Sequence, residues 1–276
     1  MREYLLKKDV NWAMLTEGFS VVHSQQQIFF SALQFDLKRG EKWNIKIIME
    51  GDEFDAVLSN MDIKQEQFQD HCDIVRIQYS KNGKLAEKLQ GIFYQSYQYC
   101  SKERKLKKDQ KGITTIPEEF TEYLVLYTTT IKDMFLAEAI TIEDKQEFKQ
   151  ETSNINEADY ENEINNMKDD NATIIQKQMN VKIRKMDRKI CERLKEIYNY
   201  RCQICGYGFR EKYGVDYAEA HHIIPFVQSM NNNPENILIL CPNHHRIIHK
   251  AKAIYDKVNI CYLYGNELIE NISIIK

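Results

Sequence analysis

Alternation of apolar and polar residues marks the first half of the chain as rich in strands. Trp43-Asn44-Ile45-Lys46-Ile47-Ile48-Met49 and Phe54-Asp55-Ala56-Val57-Leu58 flank the turn-forming pair Gly51-Asp52, which predicts a β-hairpin. Asp73 to Tyr79 reads as another strand, closed by the turn Lys81-Asn82-Gly83-Lys84. Further strands are expected at 91–98 and 122–130, and helices at 62–70 and 131–149. These elements predict a mixed α/β module over residues 1–150.

The pattern changes after residue 150. Apolar positions thin out and Asn154, Asn156, Asn162, Asn165, Asn166 and Asn171 crowd together with Asp and Glu. Such a stretch struggles to offset its own ordering entropy, so 151–185 is expected to be an acidic-to-basic linker or an exposed helix. From Asp187 to Tyr200 a helix is expected, with Ile190, Leu194 and Ile197 on its apolar face. A second domain is expected over 186–276, and the fold class is α+β.

Composition adds little until it is resolved along the chain. The 276 residues carry a net charge of -3, with 43% hydrophobic and 29% charged residues, which describes an ordinary water-soluble protein. No apolar run approaches the roughly 18 residues of a membrane span, and the first residues show no signal-peptide core, so no membrane partner and a cytoplasmic location are expected. The charge is unevenly placed, however: 151–170 is acidic, whereas 177–201 is strongly basic. Arg184, Lys185, Arg188 and Lys189 on that basic stretch, with Arg246 further on, are candidate contacts to a phosphate backbone. A solvated helix face explains the basic run equally well.

The chemistry is concentrated near the end of the chain. Of the seven cysteines, Cys202 and Cys205 form a C-x-x-C pair, and five of the seven histidines fall between 221 and 249. The string runs Glu219-Ala220-His221-His222-Ile223-Ile224-Pro225, then Asn236-Ile237-Leu238-Ile239-Leu240-Cys241-Pro242-Asn243-His244-His245-Arg246-Ile247-Ile248-His249. Closed zinc sites commonly take two ligands from each of two short spacings. Cys202, Cys205, Cys241 and His244 supply that pattern, and Pro242 suits the first turn of a helix. On that helix His245 and His249 share a face four residues apart, while His244 is turned away by about 100°. His221 and His222, at the end of an expected strand, point to opposite sides. One of them can bind a second ion while the other faces substrate.

These motifs resemble the HNH (ββα-metal) endonuclease family, in its zinc-containing branch that includes bacterial restriction enzymes. The resemblance spans about residues 190–255. It implies a zinc-stapled C-terminal domain that hydrolyses double-stranded DNA with Mg²⁺ or another divalent ion. In that family's scheme His222 is the general base, and His221, His245 and His249 are ligands of the catalytic ion. Asn236 pins the loop that orients His222. Relatives usually carry C-x-x-C where this chain has Cys241-x-x-His244; imidazole is an accepted zinc ligand. On this reading the first 150 residues choose the target, which could carry modified bases, and a homodimer is expected because one such site cuts one strand. Two other classes fit the same motifs: a nuclease effector or toxin regulated by a ligand or protein, and a zinc-dependent DNA-binding protein without turnover.

Overall fold

The computed structural model describes residues 3–33, 35–62, 73–106, 114–166, 178–265 and 268–273. The chain divides into two compact units, Met1–Gln146 and Glu147–Lys276. In the first, the elements run β1 (Tyr4–Asp9), α1 (Trp12–Thr16), β2 (Gly18–Ser20), α2 (His23–Ala32), β3 (Lys42–Met49), β4 (Asp52–Met61) and β5 (Ile74–Gln78). Then come α3 (Lys84–Ile92), α4 (Tyr94–Leu106), β6 (Tyr123–Thr128) and β7 (Met134–Ile140), with α5 (Ile142–Thr152) crossing the boundary. Among the described residues seven strands form one sheet in the order β1-β6-β7-β3-β4-β5-β2. Every neighbouring pair is antiparallel except β3 and β7.

The hairpin of β3 and β4 follows the alternation closely. Ile45, Ile47 and Met49 point inward with Ala56 and Leu58 from the facing strand. The turn lies one residue earlier than expected. Glu50 and Gly51 are the two loop residues, at φ 51° and 87°, and Asp52 already pairs with Met49. Positive φ at both central positions matches the twist of the strands, and the glycine takes the second position without steric cost.

Two expectations for this unit are corrected. The segment 91–98 is helical rather than extended, because Leu85, Leu89, Phe93 and Tyr97 recur every four residues and pack on the sheet's core. The helix expected over 131–149 begins only at Ile142; Met134–Ile140 is instead a strand between β6 and β3. The helix expected at 62–70 falls on residues 63–70, outside those described.

The second unit continues with α6 (Glu157–Asn166), α7 (Gln178–Ile197), α8 (Arg210–Tyr213), β8 (Glu219–His222), α9 (Phe226–Ser229), β9 (Ile237–Leu240) and α10 (Pro242–Ala251). A small sheet of β10 (Ile254–Asp256), β11 (Cys261–Leu263) and β12 (Ile269–Asn271) follows. β8 and β9 pair antiparallel, with His221 opposite Leu238 and His222 opposite Ile237, and α10 packs on them. This ββα unit is the frame on which the histidines are mounted.

The described part of the expected linker is structured. α6 buries Tyr160 and Ile164 on one face, and Glu161 beside them is only 1% exposed. Tyr160 stacks on Phe226 at 5.3 Å and meets Phe148 edge-on at 6.1 Å. Burying one such ring contributes about 1.5–3 kcal/mol, enough to hold a short acidic helix against its own solvation. α7 buries Ile183, Met186, Ile190 and Leu194, and in the middle of that apolar stripe lies Asp187 at 0% exposure.

Candidate metal centres

The first cluster is a knuckle. Cys202 and Cys205 lie in a tight turn in which the Gly206 amide donates to the Cys202 carbonyl at 2.8 Å, with Gly206 at φ 70°. The turn is fastened to β9 by Gln203, whose backbone N–H donates to the Ile239 carbonyl and whose Oε1 accepts from the Ile239 amide. Cys241 precedes α10 and His244 stands in its first turn, with Pro242 at the helix start. His244 Nδ1 lies 3.2 Å from Cys241 Sγ and 3.5 Å from Cys202 Sγ, and Cys205 Sγ is 4.0 Å from Cys241 Sγ. Sulfurs about 2.3 Å from a tetrahedral zinc sit roughly 3.8 Å apart, so these four atoms fit that ion. Glu270 on β12 holds the other ring nitrogen, at 3.2 Å from His244 Nε2, and is itself gripped by Tyr264 Oη at 2.6 Å. Outer carboxylates of this kind fix the tautomer of a metal-binding histidine.

The second cluster is centred on one oxygen. Glu161 Oε2 stands 2.7 Å from both His245 Nε2 and His249 Nε2, and 3.2 Å from His221 Nδ1. The two Nε2 atoms are 3.3 Å apart. Ligands about 2.1 Å from one ion are spaced by roughly 3.0–3.4 Å; the 3.2 and 3.3 Å separations fall in that range, while the two 2.7 Å contacts to Glu161 Oε2 are hydrogen-bond distances that would lengthen slightly around an ion. His221, His245 and His249, the set that the resemblance implies, lie together, and Glu161 joins them from 60 residues before His221. Glu219 Oε2 lies 2.7 Å from His245 Nδ1, and its Oε1 takes a hydrogen bond from Tyr217 Oη at 2.8 Å. It is therefore the outer carboxylate of this centre.

The electrostatics are those of buried imidazole–carboxylate pairs. Burial alone raises a carboxyl, but hydrogen bonds from His221, His222 and His245 outweigh it and hold Glu161 well below its ordinary range. Burial likewise lowers an imidazole, yet Glu161 and Glu219 lift His245 to about 9. For His221 burial prevails and the group is pushed down. The centre opens on one side into a cavity of about 550 Å³ lined by Ala158, Asn162, His245, Arg246, His249 and Lys250. Arg246 and Lys250 are exposed there, a cationic mouth beside the cluster.

His222 departs from its expected orientation. It does not face solvent: the residue is 2% exposed and its ring stacks on Phe226 at 5.1 Å. Its Nε2 is 3.1 Å from Asp187 Oδ1, and its Nδ1 is 3.2 Å from Glu157 Oε1 and 3.3 Å from Glu161 Oε1. Burial would lower this imidazole, but Asp187, then Glu157 and Glu161, raise it well above its ordinary value. With both nitrogens facing carboxylates, the ring is not placed to take a proton from an incoming water. The strand alternation that sends His221 to one centre sends His222 inward, where α6 and α7 cover it.

Asn236 ties the loop between the strands. Its Oδ1 accepts from the Ile224 amide at 2.8 Å, and its Nδ2 donates to the carbonyls of Ile224 and Asn231 at 2.9 and 2.6 Å. Of the basic candidates, Arg188 pairs with Glu192 at 3.0 Å and Lys189 is half-buried. The side chains of Arg184 and Lys185 lie outside those described.

Residues 202–251 match the model of the HNH endonuclease family. The second unit carries an HNH domain. The chain also has curated relatives. It is similar to the Type IV methyl-directed restriction enzyme EcoKMcrA of Escherichia coli (strain K12), at 33% identity over 69 residues. That match covers 24% of this chain and 25% of the enzyme, so the chain spans about a quarter of that relative's length. Anaredoxin of a Nostoc species is 29% identical over 69 residues, which is 25% of this chain and 83% of that protein. No solved structure matches. The HNH match begins at Cys202, so Glu157, Glu161 and Asp187 all lie outside it. An acidic i, i+4 pair on the Tyr160 and Ile164 face of α6, and a lone carboxylate in the apolar stripe of α7, are the sequence signals that mark them.

Proposed function

We propose that this chain is a metal-dependent DNA endonuclease of restriction type. One observation carries the reading: His221, His245, His249 and Glu161 converge on one point at the rim of a cavity lined by Arg246 and Lys250. A divalent ion there supplies charge to a phosphoryl oxygen and acidifies bound water. The chain's own residues do the rest. The three imidazoles and Glu161 hold the ion, Glu219 keeps His245 turned toward it, and Arg246 and Lys250 attract the phosphate backbone at the mouth. A donor set of three nitrogens and one oxygen suits Mn²⁺, Ni²⁺ or Zn²⁺ better than Mg²⁺, which prefers oxygen ligands. The Cys202, Cys205, Cys241 and His244 site holds structural zinc in this reading.

The second cluster also separates this reading from a zinc module that only binds DNA, because a structural knuckle has no need of another convergent set. Target choice is assigned to the first unit, since the HNH segment is too small to read a long site. The restriction relative is a methyl-directed enzyme, which makes methylated DNA the first substrate to try. Two copies acting together would cut both strands.

The test is digestion of methylated and unmethylated plasmids by the full chain with Mn²⁺ or Mg²⁺, followed by sequencing of the ends. His245→Ala removes a ligand of the ion, whose loss removes about 4 kcal/mol of charge stabilisation, and cutting should fall on the order of a thousandfold. Undiminished cutting by that variant, with its zinc retained, contradicts the site.

A further inference from the structure

The first unit holds a cavity that the metal chemistry does not use. It lies where the end of α2 and the loop that follows meet the end of β4 and the residue before β5, and its volume is about 690 Å³. Small-molecule sites commonly span about 300–1,000 Å³. Phe30 and Phe35 line it with half-buried rings. Phe35 stacks on Trp43 at 4.6 Å, and Lys132 Nζ lies over both rings, 5.2 and 4.6 Å from their centroids.

The polar part of the wall is made of acceptors. Asn60 is only 2% exposed, and its Nδ2 donates to the Leu37 carbonyl at 3.2 Å and to Asp73 Oδ1 at 3.0 Å. Both partners are acceptors, so they fix which way round the amide sits. Its Oδ1 is left over, sealed from solvent and without a hydrogen-bond partner. Buried acceptors rarely go unpaired, and a donor is what this one lacks. Carboxylates stand beside it: Asp36 and Asp73 line the same cavity, with Arg39 Nε 3.1 Å from Asp73 Oδ1. A ligand that suits this wall brings N–H groups and a flat face. Lys38, Arg39 and Lys132 are exposed nearby and can meet a phosphate.

A nucleobase with an exocyclic amino group combines those properties. Adenine and cytosine carry such a group and thymine does not. In a duplex that group is paired and the ring is stacked, so the base must leave the helix to enter a pocket. We propose that this cavity receives one amino-bearing base turned out of the DNA strand, its ring against Phe35 and its amino group on Asn60 Oδ1. The inference rests on the reading of the chain as a DNA endonuclease, and it makes Asn60 a specificity-determining residue of the first unit.

The experiment is fluorescence anisotropy of the full-length, zinc-loaded chain, without Mn²⁺ or Mg²⁺ so that nothing is cut. The probes are labelled single-stranded thymine oligomers with one central cytosine, adenine or thymine, in which no pairing has to be broken. The cytosine or the adenine oligomer should bind about tenfold more tightly than the all-thymine one. Asn60→Leu should erase that preference. Phe35→Leu should weaken the preferred oligomer by roughly tenfold, because it removes the stacking face. Equal binding of the three oligomers overturns the proposal, as does a preference that survives in Asn60→Leu. The wild-type comparison decides the matter even where Asn60→Leu fails to fold. Competition by free dCMP and dAMP tests the source of the base: a free nucleotide that binds as tightly as the oligomer overturns the assignment to DNA. Plasmid cutting by the same preparation with Mn²⁺ added separates the two readings. Cutting with equal oligomer binding keeps the nuclease and ends the base pocket; a base preference without cutting keeps the pocket and ends the nuclease.

Discussion

The knuckle and the histidine centre share one helix and differ in how they are assembled. All four knuckle donors come from two short spacings, Cys202 with Cys205 and Cys241 with His244, and the set is closed. The neighbouring centre draws His245 and His249 from α10, His221 from β8, and Glu161 from a helix that the HNH match does not reach. It also opens onto a cavity. A site made of adjacent residues can staple a fold as soon as the segment forms. A site that needs a distant helix is complete only once that helix has docked, which suits an ion that must meet substrate.

The sharpest way to break this contrast is to remove a knuckle ligand. Structural zinc contributes about 10–16 kcal/mol in small zinc-dependent folds, so Cys202→Ser should abolish the calorimetric transition of the second unit along with its zinc. A variant that keeps its zinc and its melting temperature would mean the knuckle staples nothing. A matched pair comes next. Glu270→Gln and Glu219→Gln each remove an outer carboxylate, and each should weaken its own ion by roughly 10–100-fold while leaving the other alone. Competition titrations with a zinc chelator and with Mn²⁺ read the two separately, and crossed effects would erase the distinction between the centres. The smallest effect is expected at the mouth. Arg246→Gln should lower the salt dependence of DNA binding by about one phosphate contact without touching either metal. An unchanged salt slope would move the phosphate path elsewhere.

The same contrast explains what could be read in the sequence. Both histidine pairs and the knuckle were legible because local geometry alone sets their faces: helical spacing for His245 and His249, strand alternation for His221 and His222. Glu161 was not, because Glu157, Asp159, Glu161 and Glu163 look alike in a run whose composition suggests a linker. Only the burial of Tyr160 and Ile164 tells which acids face inward. The inward turn of His222 was missed for the same reason, since alternation gives opposite sides without saying which side is covered. In the first unit, Met134-Phe135-Leu136-Ala137-Glu138-Ala139-Ile140 is composed of good helix formers, yet pairing with β6 and β3 makes it a strand. In 91–98 the helical period shows only when Phe93 and Tyr97 are taken together with Leu85 and Leu89, which lie outside the segment.

His244 and His245 are consecutive residues of α10, one facing the knuckle and the other the histidine centre. They cannot move independently, because the peptide between them fixes their angular offset. A chelator should therefore inactivate the protein in two kinetic phases. The first, quick and reversed by added Mn²⁺, empties the exposed centre; the second, slow, strips the zinc, lets the start of α10 swing away and takes His245 with it, so that Mn²⁺ alone no longer restores the protein.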